Sequence, residues 1–293
     1  MSNPDQIQRF IFDDTDVRGV LTGTDAAYQA VLQSHEYPVA IQRLLGEMLA
    51  AVSLLSSTLK FSGRLGLQAR GEGAVSLMMA ECNHQHDLRA IARWEGTLDE
   101  DAGLLELLGR GQLVITIEPE KGQRYQGVVA LERPQLAQCL ESYFQQSEQL
   151  ATRILLAADG DKAAGMLLQA LPAKEQNERY RENWDRIAHL GATLSSAELL
   201  TLDNQTLLYR LYHEEALRLF DPEPLRFACD CSRERSLGAL RTLGEEEVAS
   251  MLDEAGRIAL DCQFCNARYE YDRADIQQLF SDSSGITPSP SRH

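Results

Sequence analysis

Two close pairs of cysteines near the carboxyl end are the feature that most constrains this 293-residue chain. Cys229 and Cys231 are separated by one residue, Cys262 and Cys265 are separated by two, and 30 residues lie between the pairs. A closed structural zinc site takes four tetrahedral ligands, and two short-range pairs brought together across a loop supply them with little strain. The spacing C-x-C-x30-C-x-x-C, followed by the alternating "ARYEY", therefore predicts a Zn²⁺ site with four thiolate ligands.

Two other interpretations of the cysteines remain, four free core thiols or two ordinary disulfides. The beginning "MSNPDQIQRFIF" lacks the basic and apolar regions of a secretory signal. No uninterrupted apolar run approaches the roughly 18 residues of a membrane helix. We therefore expect a cytoplasmic protein, in which thiols stay reduced and close pairs more often bind metal or do redox chemistry.

The net charge of -16 repels phosphate backbones and anionic lipid, which argues against nucleic acid and membranes as partners.

Residues 1–174 alternate between helical and strand periods, which predicts a mixed α+β core domain. Alternating apolar residues on both sides of Gly71-Glu72-Gly73 predict one hairpin. The segments "LVITI" and "YQGVVA" predict a second hairpin. A central helix with a broad buried stripe is predicted by apolar residues at a spacing of 3.6, namely Ile41, Leu44, Leu45, Met48, Leu49, Val52 and Leu55.

Three further segments follow the core domain. Residues 175–224 are charged and helix-forming, show no strand signal, and are called the connector here. Residues 225–282 form the cysteine module, and residues 283–293 have the composition of a flexible tail. Asp221-Pro222-Glu223-Pro224 ends the helical pattern before the module. The apolar face of the connector needs cover and includes Leu199, Leu200, Leu207, Leu208, Leu211, Leu217 and Phe220.

The cysteine module is small enough for a metal to decide whether it folds. A domain of about 60 residues is marginally stable from its core alone, whereas zinc contributes roughly 10–16 kcal/mol in small metal-binding peptides. Oxidants can attack accessible thiolates, and the short separations favour disulfides within each pair, although C-x-C makes a tighter ring than C-x-x-C. Loss of the metal should unfold the module, and a connector that packs against it would then lose its cover.

The longer motifs resemble the bacterial heat-shock protein 33 family, the redox-regulated holdase chaperones. "FACDCSRERSLGALRTLGEEE" and "GRIALDCQFCNARYEYDRADIQQLF" are similar to the zinc module of that family. "DVRG" at 16–19 and the stretch at 37–81 are similar to its core domain, and the likeness runs from about residue 7 to about residue 281. One departure is Ala90, where the family usually has glycine.

The resemblance implies an ATP-independent chaperone that is inactive with Zn²⁺ on Cys229, Cys231, Cys262 and Cys265. It implies that peroxide or hypochlorous acid forms Cys229–Cys231 and Cys262–Cys265 disulfides, releases zinc, unfolds the module and connector, and favours a homodimer. Unfolded client proteins would bind exposed apolar surface and later pass to ATP-dependent foldase chaperones.

Other candidate sites and functions are weaker. Cys82, His84 and His86 in "ECNHQH" suggest a second metal site but lack a fourth ligand nearby, and Cys139 lies in an apolar helix as a core residue would. We find no enzyme motif. A zinc-ribbon adapter that binds a protein partner remains an alternative. Residues 225–293 contain 8 Arg and 12 Asp+Glu, and the resulting net charge of -4 disfavours nucleic acid as the partner of such an adapter. A thiol oxidoreductase would lack its usual βαβ setting.

Overall fold

The structure is a computed structural model that describes residues 5–58, 62–172 and 178–281. The chain divides into two compact units, Met1–Ala228 and Cys229–His293. The first unit therefore contains the connector and also residues 225–228, which the sequence interpretation places in the cysteine module.

The described residues of the first unit form two six-stranded sheets. Its strands are β1 (Gln6–Phe12), β2 (Val17–Thr24), β3 (Gly63–Gly71), β4 (Val75–Asn83), β5 (Asp87–Trp94), β6 (Gly111–Pro119), β7 (Tyr125–Ala130), β8 (Thr152–Ala158), β9 (Ala163–Ala170), β10 (Leu217–Leu219), β11 (Glu223–Pro224) and β12 (Arg226–Phe227). Sheet I has the order β10-β1-β2-β9-β8, with β11 also paired to β1, and sheet II has the order β12-β5-β4-β3-β6-β7. The two predicted hairpins are β3–β4 and β6–β7, both antiparallel.

The helices of the first unit lie around and between these sheets. They are α1 (Ala26–Leu32), α2 (Val39–Ser56), α3 (Leu104–Leu108), α4 (Leu136–Tyr143), α5 (Glu178–Gly191), α6 (Ser196–Thr201) and α7 (Asn204–Tyr212), and a π-helical turn (Phe144–Glu148) extends α4. The mixed strand and helix content confirms the predicted α+β class.

Helix α2 is the centre of the core. It packs against strands of both sheets, because apolar residues cover most of its circumference. Ile41, Leu45 and Leu49 are fully buried, and burial of each such side chain is worth about 1.5–3 kcal/mol. The helix is long and apolar enough to cross a membrane by length and composition, but 78% of that window is buried inside the protein. We therefore interpret α2 as a core helix.

The connector covers the outer face of sheet I. Side chains of a strand alternate between faces, so Val20 faces α2 while Leu21 faces the connector. Leu207 and Leu208 of α7 are buried in the same apolar cluster as Leu21. The core sheet therefore supplies cover for the apolar face of the connector, which the sequence predicted to need it. Only tertiary packing could show this.

Strand formation in the connector differs from the sequence interpretation, which found no strand signal there. Leu217–Leu219 forms β10 and pairs with β1 in the register Phe10↔Leu219. Three residues are too few to show a period of two, so the partner strand decides their conformation. Phe220, placed by the sequence interpretation on the buried apolar face, is 41% exposed.

The "DVRG" motif leads into β2, where Gly19 is required by a close approach. Gly19 lies opposite Phe10 in the β1–β2 register. A Cβ atom at Gly19 would lie 2.1 Å from Phe10 Cζ, so any larger residue would displace the buried ring. The motif therefore has a packing role at this position.

The second unit is small. Among its described residues it contains α8 (Arg233–Leu243), α9 (Glu245–Ala255), β13 (Ile258–Asp261), β14 (Arg268–Tyr271) and α10 (Arg273–Ser281). Strands β13 and β14 form an antiparallel hairpin. Its buried apolar cluster consists of Leu240, Val248, Leu252, Ile258, Tyr271, Ile276 and Leu279. A core of this size supplies limited stability without a further crosslink.

Candidate metal centre

The two cysteine pairs occupy two loops of the second unit. Cys229 and Cys231 lie in the segment that precedes α8, whose N-cap Ser232 accepts a hydrogen bond from the Arg235 N–H at 3.2 Å. Cys262 and Cys265 lie in the turn between β13 and β14. This cap and this turn are local features that the sequence specifies, and they orient each pair.

The β13–β14 turn is closed by backbone hydrogen bonds. The Cys262 N–H donates to the Ala267 carbonyl and the Asn266 N–H donates to the Cys262 carbonyl, both at 2.8 Å. Asn266 has a φ of 59°, a left-handed conformation that asparagine tolerates better than most residues. The turn therefore presents Cys262 and Cys265 from a rigid hairpin.

All four sulfurs meet in one cluster. The four Sγ atoms lie within 4.8 Å of one another. The Sγ atoms of Cys229 and Cys262 are 3.6 Å apart, and those of Cys231 and Cys265 are 3.4 Å apart. The four cysteines are free thiols and are partly buried. Close sulfur contacts thus join one pair to the other.

The cluster fits a tetrahedral zinc ion by its donor set and by its size. A Zn–S bond of about 2.3 Å places neighbouring sulfurs of a tetrahedral site about 3.8 Å apart. The observed separations of 3.4 and 3.6 Å lie close to that value. Four thiolates are also a common structural zinc ligand set. Cys229, Cys231, Cys262 and Cys265 can therefore hold one metal ion.

The sulfurs differ in their pKa values. Burial raises the pKa of Cys229 and of Cys265, and hydrogen bonding to neighbouring sulfurs raises the pKa of Cys265 further. At Cys262 burial also opposes ionisation, but hydrogen bonds from the backbone of Cys265 and Phe264 lower the net pKa below the ordinary thiol value. Four thiolates this close repel one another, so a cation is needed for all of them to ionise.

Two tyrosines of β14 support the cluster. The Tyr269 hydroxyl donates to the Cys231 Sγ at 3.1 Å, and this bond raises the pKa of Tyr269 to about 12. The Tyr271 ring is fully buried, and its hydroxyl donates to the Arg233 carbonyl at 2.9 Å. The alternation in "ARYEY" predicts the strand, but the tyrosine contacts depend on the packing of α8 against it.

Arg233 links the two loops and was not identified from the sequence. Its guanidinium donates to the Glu270 carbonyl at 2.6 Å and to the Asp275 carboxylate at 2.7 Å. The same group lies 4.6 Å from the centroid of the Tyr271 ring. These contacts join the beginning of α8 to β14 and α10, and they hold Cys231 near Cys265.

The second candidate metal site is not formed. Cys82 is fully buried in the core, where burial raises its pKa to about 12. His84 Nδ1 accepts a hydrogen bond from the Gly63 N–H at 3.2 Å, and His86 Nε2 lies 3.1 Å from Glu223. Within the described residues, the four module cysteines are the only group of three or more ligands arranged to bind a metal.

Cys139 behaves as the sequence interpretation expects. It is fully buried in the main apolar cluster, and its Sγ lies 3.8 Å from the Arg133 carbonyl. Burial is the main cause of its raised pKa. Cys139 is therefore a core residue.

Comparison with known proteins agrees with the sequence and the fold. A family model described as "Hsp33 protein" matches residues 5–272. The chain is 52% identical to the 33 kDa chaperonin of Pseudomonas aeruginosa over 297 residues, which covers 100% of both chains. It is 50% identical to the 33 kDa chaperonin of Shewanella sp. over 281 residues, covering 96% of this chain and 97% of that one.

A solved structure shares the fold. The crystal structure of the 33 kDa chaperonin from Thermotoga maritima, a heat shock protein 33 homolog, superposes with a TM-score of 0.82. The superposition covers 96% of this chain and 100% of that chain, at 19% sequence identity. At that identity the comparison supports the architecture alone.

Proposed function

Because this chain belongs to the Hsp33 family, we propose that it is a redox-regulated, ATP-independent molecular chaperone that holds unfolding proteins during oxidative stress. The observation that carries the redox part is the cluster of four free cysteine sulfurs within 4.8 Å of one another. Such a cluster combines metal binding with oxidisable sulfur in one small unit. A non-enzymatic role agrees with the family name.

In the reduced state, Cys229, Cys231, Cys262 and Cys265 would hold Zn²⁺. The bound ion would offset two of the four thiolate charges and crosslink the α8 loop to the β13–β14 turn. Zinc binding contributes roughly 10–16 kcal/mol in small metal-binding peptides, comparable to the 5–15 kcal/mol stability of a whole domain. The module, with its small apolar core, would be folded and the chaperone inactive in this state.

Oxidation would remove the ligands in two balanced steps. In each step two zinc-bound thiolates lose two electrons and form one S–S bond, while one peroxide molecule takes up these two electrons and two protons from solvent and becomes two waters. The proposed disulfides are Cys229–Cys231 and Cys262–Cys265, as the family resemblance implies. A disulfide sulfur is no longer a thiolate ligand, so the crosslink between the two loops would be lost.

Loss of the crosslink would unfold the module and then the connector. The connector leads directly into Cys229, and its apolar face covers sheet I through residues such as Leu207 and Leu208. Release of this cover would expose the facing surfaces of the connector and of sheet I. Phe10, Phe12 and Met166 are buried on that face of the sheet. Unfolded client proteins would bind the exposed apolar surface.

The proposed partners follow from this surface. Two activated molecules would associate as a homodimer, and held clients would pass to ATP-dependent foldase chaperones. The net charge of -16 argues against nucleic acid and anionic membranes as partners. We propose a cytoplasmic location, where a reduced resting state is maintained.

The function is tested by following metal and chaperone activity together. Zinc is measured with a colorimetric chelator while peroxide is added to the reduced full-length protein, and suppression of aggregation of a denatured protein is measured in the same samples. We expect activity to rise as zinc leaves, and we expect the Cys139→Ala control to behave like the wild type. A zinc-ribbon adapter would lose zinc and gain no activity, and that result would reject the chaperone switch.

The pairing of the disulfides needs a separate test, because close sulfur contacts also run between the pairs. Trypsin cleaves after Arg233 and Arg257, so it separates Cys229 and Cys231 from Cys262 and Cys265. Disulfides within the pairs leave two separate peptides of the oxidised protein, each lighter by two hydrogens. A single crosslinked peptide would show that the disulfides form across the cluster.

A further inference from the structure

The first unit contains a cavity, partly open to solvent, that the proposed switch does not use. Its volume is about 350 Å³, and it lies between the polar pair Arg18 and Gln169 on sheet I and apolar side chains of sheet II. Cavities that bind small molecules begin at about this size. Its apolar lining consists of Leu55, Leu65, Ile115, Ile117, Phe144 and Leu150.

Arg18 is the cation of this cavity and belongs to the "DVRG" motif. It lies opposite Gln169 in the β2–β9 register, and its Nη2 donates to Gln169 Oε1 at 2.6 Å. Gln169 in turn donates to the Thr152 hydroxyl at 3.0 Å, which fixes the amide and hence the guanidinium. The Arg18 side chain is therefore held in position by neutral partners.

No anion compensates Arg18 among the described residues. Its Nε atom is buried without a hydrogen-bond partner, and no carboxylate oxygen of the described part of the chain lies within ion-pair distance. Glu148 also lines the cavity, but its carboxylate accepts a hydrogen bond from the Tyr143 hydroxyl at 3.0 Å. Burial lowers the pKa of Arg18, which reflects the cost of keeping an unpaired charge away from water.

The backbone beside the cavity is also unusual. Phe144–Glu148 forms the π-helical turn, and Gln149 follows with a φ of 55° in the left-handed region. This geometry brings Phe144, Glu148 and Leu150 to the cavity wall. Single π-helical turns occur frequently at functional sites.

We propose that this cavity binds a small amphiphilic carboxylate, with the anionic head on the Arg18 guanidinium and the alkyl chain among the apolar residues of the cavity. The Arg18 guanidinium, which lines the cavity, supplies charge-assisted hydrogen bonds that a neutral or cationic head cannot accept in the same way. The limited volume favours a medium-length alkyl chain over an extended peptide. Such a ligand would join sheet I, sheet II and the end of α2, so it would stabilise the first unit.

The probe for this site is octanoate, and calorimetry with the reduced full-length protein measures its binding. Octylamine, with the same chain length and a cationic head, and acetate, with the head alone, are the matched ligand controls. We expect saturable binding of octanoate, no saturable binding of either control, and a rise in the melting temperature with octanoate concentration. Equal binding of octylamine would overturn the proposal, because it would show general adsorption to apolar surface.

Variants locate the site independently. Arg18→Gln removes the charge and should weaken octanoate binding by about tenfold or more, whereas Arg18→Lys keeps the charge and should weaken it less. Arg124→Gln, at an exposed arginine on the surface of the same unit, should leave binding unchanged. A melting curve of each variant in the absence of ligand shows whether it is folded.

The ligand controls on the wild-type protein keep the proposal falsifiable even when Arg18→Gln does not fold. Octanoate binding unchanged in a folded Arg18→Gln variant would overturn the assignment of the head group. Failure of octanoate to bind, together with binding of a short peptide that ends in apolar residues and a free carboxylate, would show that the site serves a peptide and would also reject the proposal.

Discussion

The Tyr271 hydroxyl donates to the Arg233 carbonyl at 2.9 Å, and the Arg233 guanidinium lies 4.6 Å from the Tyr271 ring centroid. This pair joins the start of α8, next to Cys231, to the strand that follows Cys265. The distance between the two cysteine-bearing loops therefore depends on a hydrogen bond and a cation–π contact as well as on any metal that the cysteines hold.

Tyr271→Phe removes this hydrogen bond and leaves the buried ring. We expect the second unit to lose about 1–2 kcal/mol, because the Arg233 carbonyl loses its donor. Hydrogen exchange of residues 229–281 and the peroxide concentration for half-maximal zinc loss measure the effect, and both should indicate a less stable module. Tyr209→Phe is the control, since Tyr209 is 72% exposed. Equal hydrogen exchange and equal zinc loss in Tyr271→Phe and Tyr209→Phe would contradict a structural role for the contact between Tyr271 and Arg233.

Gly238→Ala should have the opposite effect on the same unit. Gly238 lies within α8, and a Cβ atom there would meet no heavy atom within 4 Å. Alanine in a helix interior is about 0.5–1 kcal/mol more favourable than glycine. We expect slower hydrogen exchange in α8 and a higher peroxide requirement for activation. Gly103→Ala, a change in equally open space in the first unit, should leave the module unchanged. A lower peroxide requirement in Gly238→Ala would refute this argument.

Leu207→Ala tests the cover that the connector gives to sheet I. Leu207 is 1% exposed in the cluster with Phe10 and Phe12, and truncation of a buried leucine costs about 2–5 kcal/mol. We expect the reduced variant to be cut faster by protease in residues 178–224 and to suppress aggregation partly without peroxide. Tyr209→Ala, an exposed site on the same helix, is the control. Faster proteolysis without any gain in activity would separate connector release from client binding.

Glu47 predicts a pH dependence of stability in the first unit. Burial raises its pKa to about 7, so the folded state favours the neutral carboxyl. The contribution of Glu47 protonation to the free energy of unfolding is fully present below the unfolded pKa of about 4.3. It is lost as the pH rises through about 7, the pKa of Glu47 in the folded state. Glu47→Gln keeps the group neutral and should therefore be more stable than the wild type by about 1–3 kcal/mol at pH 8, with little difference near pH 4.

Denaturant unfolding of the reduced protein at both pH values measures this difference. Glu36→Gln is the control, because Glu36 is exposed. A constant difference between Glu47→Gln and the wild type across this pH range would show that Glu47 does not titrate as proposed.

The local parts of the fold follow from the sequence. A spacing of 3.6 between Ile41 and Leu55 predicts α2, and alternation around Gly71-Glu72-Gly73 predicts the β3–β4 hairpin, because each pattern repeats within one element. Strand β10 was not predicted, since its conformation depends on pairing with β1 about 200 residues earlier. The role of Arg233 was not predicted for the same reason, because its partners Glu270 and Asp275 are distant in sequence.

By itself, the sequence determined the four candidate ligands, their loops and the α+β class, since cysteine spacing and hydrophobic period act over a few neighbouring residues. Tertiary structure alone decided that the connector packs on sheet I, that the two cysteine pairs meet in one cluster, and that Arg18 lies beside an apolar cavity without an ion pair among the described residues. Each of these results depends on contacts between residues far apart in the chain, whose energies come from packing and burial that no local pattern encodes.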